Sequence, residues 1–405
     1  MEKQLNRKYA AGQFFYFSMF ASMFAFVSVY LLHKGFDNAT IGTVLSITSI
    51  AAIAIQTGLA NYSDKHKEIR LQDIVSVVVV SIVIGSILLF FMPIEFFILG
   101  LVVYIFAMTQ ALMTLINSLA FIYEKFDIQI NYGVARGMGS LAYAVMTMLL
   151  GYVVEATTPD ILPLFYTVFA LLLLFSVRSY FLPEDQQVVV KEIDEPIEEQ
   201  VAKDQTMLEF VSKYTRLVVL MLGIVFLFFS HTIINNFFIQ ILVPIGGDSG
   251  DMGTAIFVAA IVELPAMLNF ERLSNKIPVS RLLKISAVFF LAKHALTFLA
   301  PNMAIIYIAQ FLQIGAFSIA YPALVAYINS VVDLKDLVKG QSLLTTAMAL
   351  SSVFASFLGG ILLDSIGVSQ TLLIGVVTTV IGLIVVFVTV KDTSKEPVKT
   401  ESMKA

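Results

Sequence analysis

The chain has 405 residues, 58% of them hydrophobic and 13% charged, with a formal net charge of −4 and no cysteine. A soluble domain carries roughly 25% charged residues, so a water-soluble core of this size is excluded. Without cysteine there is neither a disulfide framework nor a thiolate metal site.

Lys3, Arg7 and Lys8 open the chain like the basic start of a signal peptide. The apolar stretch behind them is too long and lacks a small-x-small cleavage site, so it reads as an uncleaved first helix. Stretches of about 20 apolar residues, enough to cross a bilayer, follow in order. They fall at 10–33, 38–61, 71–92, 94–122, 131–156 and 160–182, then at 215–244, 249–274, 280–299, 301–330, 338–364 and 369–391. Charge returns between them, from Glu184 and Asp185 through Glu198, Glu199, Lys203 and Asp204. That run predicts a solvated acidic linker over 183–213, ending in a short surface helix at Met207–Lys213. The expected organisation is a six-helix bundle over 1–182, the linker, a second six-helix bundle over 214–391 and a tail over 392–405.

The two halves are related. Gly42-Thr43, Ser63, Lys65 and Arg70-Leu71 recur at a constant offset of 211 as Gly253-Thr254, Ser274, Lys276 and Arg281-Leu282. The expected fold class is therefore an all-α membrane protein, twelve transmembrane helices in two six-helix pseudo-repeats. A duplicated helical half of this kind points to a transporter with its site between the halves. Of the 25 Lys and Arg residues, Lys34 lies in the first loop and Arg136 and Lys293 lie inside spans; the other 22 fall on one side. The positive-inside rule then puts both termini in the cytoplasm of a multi-pass protein of the cell membrane.

Enzyme chemistry finds no foothold. There is no P-loop lysine pattern, and Gly137-Met138-Gly139 has Ala142 where a third dinucleotide-motif glycine would fall. His33, His66, His231 and His294 lack metal-ligand spacing. No cofactor, metal or nucleic-acid partner is called for. The partners expected are the lipid bilayer, a small-molecule substrate and protons, with the monomer as the working unit.

An ionisable group deep in a span costs several kcal/mol unless it faces a cavity or a partner. Glu263 in the eighth span, Arg136 in the fifth and Lys293 in the ninth meet that description, with His231 in the seventh as a fourth. Glu263 is either a proton acceptor and substrate ligand or one member of a fixed ion pair with Arg136 or Lys293. Two cations against one acid leave room for an anionic substrate group. Pro265, two residues on, should break the eighth helix locally. Polar stripes accompany these charges: His231, Asn235, Asn236 and Gln240; Gln110, Thr114 and Asn117; Gln310 and Gln313. Each stripe either lines a wet cavity or ties helices together.

Ser63-Asp64-Lys65 after the second span, the acidic central linker and the six-plus-six pattern resemble the major facilitator superfamily over essentially the whole chain. The loop is a degenerate form of that family's signature, with Ala60 at the usual glycine, and the resemblance assigns gating to Asp64 and Lys65. Tyr132-Gly133-Val134-Ala135-Arg136-Gly137-Met138-Gly139 is similar to the fifth-helix motif of the branch that holds lactose permease and the 3-phenylpropionate transporter. By that resemblance Arg136 would bind substrate, Tyr143 would offer a stacking face, Glu263 would contact substrate and carry the proton, and Lys293 and His231 would tune it. Gln313 stands where lactose permease has its coupling histidine, with Ala316, Asn117, Ala266 and Met348 as further departures, so the lactose-type relay is incomplete. The reading is a secondary active transporter, a proton symporter of a sugar, oligosaccharide or organic anion. Its substrate-binding set is Arg136, Tyr143, Glu263, Lys293, His231, Asn235, Gln313 and Asn117, with Glu263 and His231 handling protons. Its rivals are a proton-driven efflux pump with a broad apolar pocket and a non-transporting receptor or scaffold with a closed, dry centre.

Overall fold

A computed structural model describes residues 2–66, 68–124, 128–180 and 207–391, and all of the elements in them are helical. Most of the expected linker and the whole tail, 183–206 and 392–405, lie outside the described residues; the short helix Met207–Lys213 is present. The first span is Glu2–Phe24 and Val27–His33 across a 41° bend. Spans two to six are Asn38–Lys65, Leu71–Phe91, Glu95–Glu124, Tyr132–Ala156 and a 3-10 turn leading into Leu162–Arg178. Thr215–Asn236 and Phe238–Leu242 make the seventh, Ser249–Leu268 the eighth and Val279–Leu299 the ninth. The tenth is Met303–Phe311 and Phe317–Val331, joined by the 3-10 turn Leu312–Ile314.

Leu337–Thr389 comprises two helices, 53 residues in all, that meet at a kink. At 1.5 Å per residue that is about 80 Å, against a hydrocarbon core of about 30 Å. It is non-helical at Gly367, where φ is 81° and ψ is 176°, a conformation that suits glycine. The eleventh and twelfth spans meet there, completing twelve among the described residues.

One sequence expectation changes. The eighth helix is not broken at Pro265; it continues to Leu268 and ends at Asn269. Neighbouring helices and local adjustment tolerate a membrane-helix proline, and Asn269 donates from both its backbone nitrogen and Nδ2 to the Pro265 carbonyl. The tenth span, a single span as expected, is interrupted at Gln313 by a 3-10 turn. Gly315 sits beside that break, where an added Cβ would strike the Phe289 ring.

The halves meet along the second and eleventh spans and along the fifth and eighth. Away from the termini these pairs touch backbone to backbone. A Cβ on Gly42 would collide with the Ser356 carbonyl and one on Gly253 with the Thr147 carbonyl. On the termini side, a Cβ on Gly58 or Gly137 would meet nothing within 4 Å. The bundle is thus shut at one end and open at the other, where a cavity of about 680 Å³ lies between the first and fifth spans, lined by Asn6, Arg7, Ala10, Asn131 and Val134. Gly42→Ala or Gly253→Ala should destabilise this packing by roughly 1–3 kcal/mol, as overfilled contacts do. A lowered melting temperature in detergent, absent for Gly58→Ala, checks it.

Candidate functional site

Three spans of the second half converge on a linear polar array. Lys293, fully buried in the ninth span, donates from Nζ to Gln313 Oε1 at 2.5 Å. Gln313 in turn donates from Nε2 to Glu263 Oε1 at 2.6 Å. An ammonium only donates and a carboxylate only accepts, so the two ions fix the way the amide between them faces. The interrupted tenth helix puts Gln313 there, and Ser318 Oγ secures the bend by donating to the Gln313 and Ile314 carbonyls at 2.9 and 2.6 Å. Glu263 therefore has no direct ion pair with Lys293 or Arg136 among the described contacts; a neutral amide replaces one of the expected alternatives.

His231 and His294 stack beside Lys293 with ring centroids 6.2 Å apart. His231 Nε2 bonds Asn235 Nδ2 at 3.1 Å and its ring lies parallel to Phe317 at 5.8 Å. Its Nδ1 has no partner. His294 Nδ1 bonds Thr379 Oγ1 at 2.7 Å, leaving Nε2 without one. Two buried imidazoles with free nitrogens are unusual, because buried polar atoms are nearly always satisfied.

Across the interface, Arg136 lies in the fifth span one residue beyond Ala135, a wall of the 680 Å³ cavity. Its guanidinium sits 4.2 Å over the Phe17 ring and bonds Ser140 Oγ at 2.9 Å. Gly139 makes that stacking possible, since a Cβ there would enter the Phe17 ring. Tyr143, one turn beyond Gly139, packs against Phe20 at 6.2 Å. Arg136 and Tyr143 are both close enough to Glu263 to sense its charge.

First-span residues complete this wall, and sequence reasoning passed over them. Gln13 is fully buried and donates to Tyr9 Oη at 2.8 Å and to Asn117 Oδ1 at 3.2 Å, while its own Oε1 is unpartnered. Tyr9, Gln13, Phe17, Phe20 and Phe24 follow helical spacing, a signal hidden by the aromatic richness of the segment.

Other expected residues separate. Asn235 stays with His231, but Asn236 Nδ2 bonds Ser356 Oγ at 2.8 Å and Gln240 Nε2 bonds Asn38 Oδ1 at 2.9 Å, both at the shut end. Asp64 and Lys65 are exposed at the open end. Among the described residues no cluster of His, Asp and Glu is arranged to hold a metal ion.

The profile of the MFS_1 like family matches residues 7–388. The uncharacterized transporter YwbF of Bacillus subtilis (strain 168) is 24% identical over 392 residues, 94% of this chain and 92% of that protein. Maltose permease of Geobacillus stearothermophilus is also 24% identical, over 396 residues and 93% of each chain. Among solved structures, the nucleoside transporter NupG aligns with a TM-score of 0.73 at 15% identity, over 95% of this chain and 98% of its own. The D-xylose-proton symporter aligns at 0.69 with 12% identity, over 96% and 98%. At these identities the solved structures speak to the fold.

Proposed function

The chain belongs to the MFS_1 like family and is a multi-pass secondary transporter of the major facilitator fold; from that premise we propose that it is a proton symporter of a hydroxyl-bearing solute or organic anion. The observation that carries this reading is the Lys293–Gln313–Glu263 array, a single amide bridging a buried cation and an acid. Substrate docks on Arg136, with Tyr143 as a stacking face and Gln13 and Asn117 supplying neutral hydrogen bonds. A proton taken up by Glu263 removes the charge that orients Gln313. The amide is then free to turn, and Lys293 is released toward substrate or toward the neighbouring His231–Asn235 pair. A carboxylate that alternates between environments can carry a proton in this way.

The bundles 1–182 and 214–391 rock about this site, gated by Asp64 and Lys65 on the termini side. With the termini in the cytoplasm of the cell membrane, the conformation described above is inward-open, and the monomer is the working unit. Maltose permease, similar in sequence over 93% of each chain, supports a sugar-like substrate. Proton-driven efflux calls for a broad apolar pocket, and a receptor or scaffold for a dry centre with Glu263 permanently paired. Arg136, Gln13 and Asn117 make one wall polar, which weighs against the first, and the amide standing between Glu263 and Lys293 weighs against the second. The test is uptake of a panel of sugars and organic acids into proteoliposomes, with and without a pH gradient. Gradient-driven accumulation of one of them is expected. Transport of every effective compound unchanged by the gradient would remove the symport reading.

A further inference from the structure

The shut end is built twice from one pattern. Asp37 caps the second helix by accepting from Thr40 N at 2.8 Å, and Asp248, at the repeat offset of 211, caps the eighth by accepting from Asp251 N at 2.8 Å. Each helix N-terminus also receives a second carboxylate, and that one comes from the other half. Asp364, at the end of the eleventh span, accepts from Ala39 N at 2.7 Å, Asn38 Nδ2 at 2.7 Å and Asn38 N at 3.3 Å. Glu155, at the end of the fifth span, accepts from Ser249 N at 3.2 Å. The helix faces that carry those carboxylates repeat as well: Thr147, Gly151 and Glu155 match Ser356, Gly360 and Asp364 at an offset of 209. Spaced four apart, each trio lies on one helix face, so the small residues bring backbones together and the acid is delivered to the exposed amides of the facing helix.

We propose that Asp364 and Glu155 are a pair of pseudosymmetric latches, each seated on a helix N-terminus of the opposite half, that hold the end away from the termini closed and must both let go for the site to open there. The first amides of a helix have no internal partner and carry positive partial charge, so a carboxylate at that point is held by hydrogen bonds and by the dipole together. The two latches are unequal: Asp364 takes three donors and Glu155 one. Gln240 and Asn236 reinforce the Asp364 side by bonding Asn38 and Ser356. Thr254 Oγ1, donating to Tyr152 Oη at 3.2 Å, reinforces the Glu155 side. Opening should therefore begin at Glu155 and be limited by Asp364. The proposal rests on alternating access by the two halves and is independent of proton coupling and of what is carried.

The absence of native cysteine makes the test direct. Cysteines at the exposed positions Ala156 and Ser369 place spin labels on opposite halves at the shut end. Electron–electron distance measurements in lipid then report the closed and open populations without substrate. Asp364→Asn is expected to raise the open-to-closed ratio about fivefold and Glu155→Gln by less, the double variant exceeding either, on the scale of one carboxylate at a helix N-terminus. Asn38→Asp, which sets a second acid against an intact Asp364, should open the same end, and combining it with Asp364→Asn should bring the ratio back toward wild type. Asp160→Asn removes an acid that pairs with Lys34 and His33 inside one half, and should leave the distances unchanged. An unchanged ratio in Asp364→Asn, in Asn38→Asp and in Asp364→Asn combined with Glu155→Gln, or an equal shift in Asp160→Asn, overturns the proposal. Shifted distances beside gradient-independent transport would instead overturn only the symport reading.

Discussion

Glu263→Gln is expected to abolish accumulation driven by a pH gradient while substrate exchange across the membrane continues. The replacement is nearly isosteric and keeps a carbonyl oxygen where Glu263 Oε1 accepts from Gln313 Nε2 at 2.6 Å. What it removes is the ability to gain and lose a proton. With one proton per substrate, a gradient of about one pH unit sustains roughly tenfold accumulation, because that unit is worth about 1.4 kcal/mol. The variant should fall to about unity in proteoliposomes, with counterflow retained. The new amide leaves Lys293 without a nearby acid, so a modest rise in the half-saturation constant is also expected. Accumulation equal to wild type would remove Glu263 as the proton carrier.

The twelve-span fold was legible because the bilayer demands long apolar stretches and tolerates few exceptions, which makes the exceptions conspicuous. Glu263, Arg136 and Lys293 stood out for that reason; Glu263 and Lys293 share Gln313 as a partner, while Arg136 sits over Phe17 in the other half. Gln313 was legible as polar but its role was not. The amide reaches both ions where the tenth helix breaks at Leu312–Ile314, beside the close approach of Phe289 to Gly315, a tertiary contact with no local signature. Pro265 misled in the opposite direction, a strong local signal overridden by the surrounding bundle. Gly42 and Gly253 were visible as a repeat. Their partners Thr147, Gly151 and Glu155, and Ser356, Gly360 and Asp364, are small or common residues whose meaning emerges only when two helices are laid side by side. Gln13 and Phe17 were lost among the aromatic residues of the first span, where composition alone gives no reason to prefer one ring or amide over its neighbours.

Arg136→Ala should weaken substrate binding by at least about a hundredfold, the scale of losing two charge-assisted hydrogen bonds worth about 3 kcal/mol together. The structure gives the side chain one hydrogen bond, to Ser140, and a seat over Phe17. A guanidinium has five N–H donors in a rigid fork, so most of that capacity remains for a ligand. Stacking on Phe17 holds the plane in place, which spares the ligand part of the ordering cost. Arg136→Lys separates the two substrate classes. Its ammonium keeps the charge but not the fork, so an organic anion should retain affinity within about tenfold of wild type. A neutral sugar, read through paired hydroxyl contacts, should lose nearly as much as with alanine. Equilibrium binding to purified protein, with the melting temperature confirming that each variant is folded, distinguishes these outcomes. Wild-type affinity in Arg136→Ala would refute the anchoring role. It would also shift the search for the substrate's contacts to Gln13, Tyr9 and Asn117, the neutral donors and acceptors of the same wall.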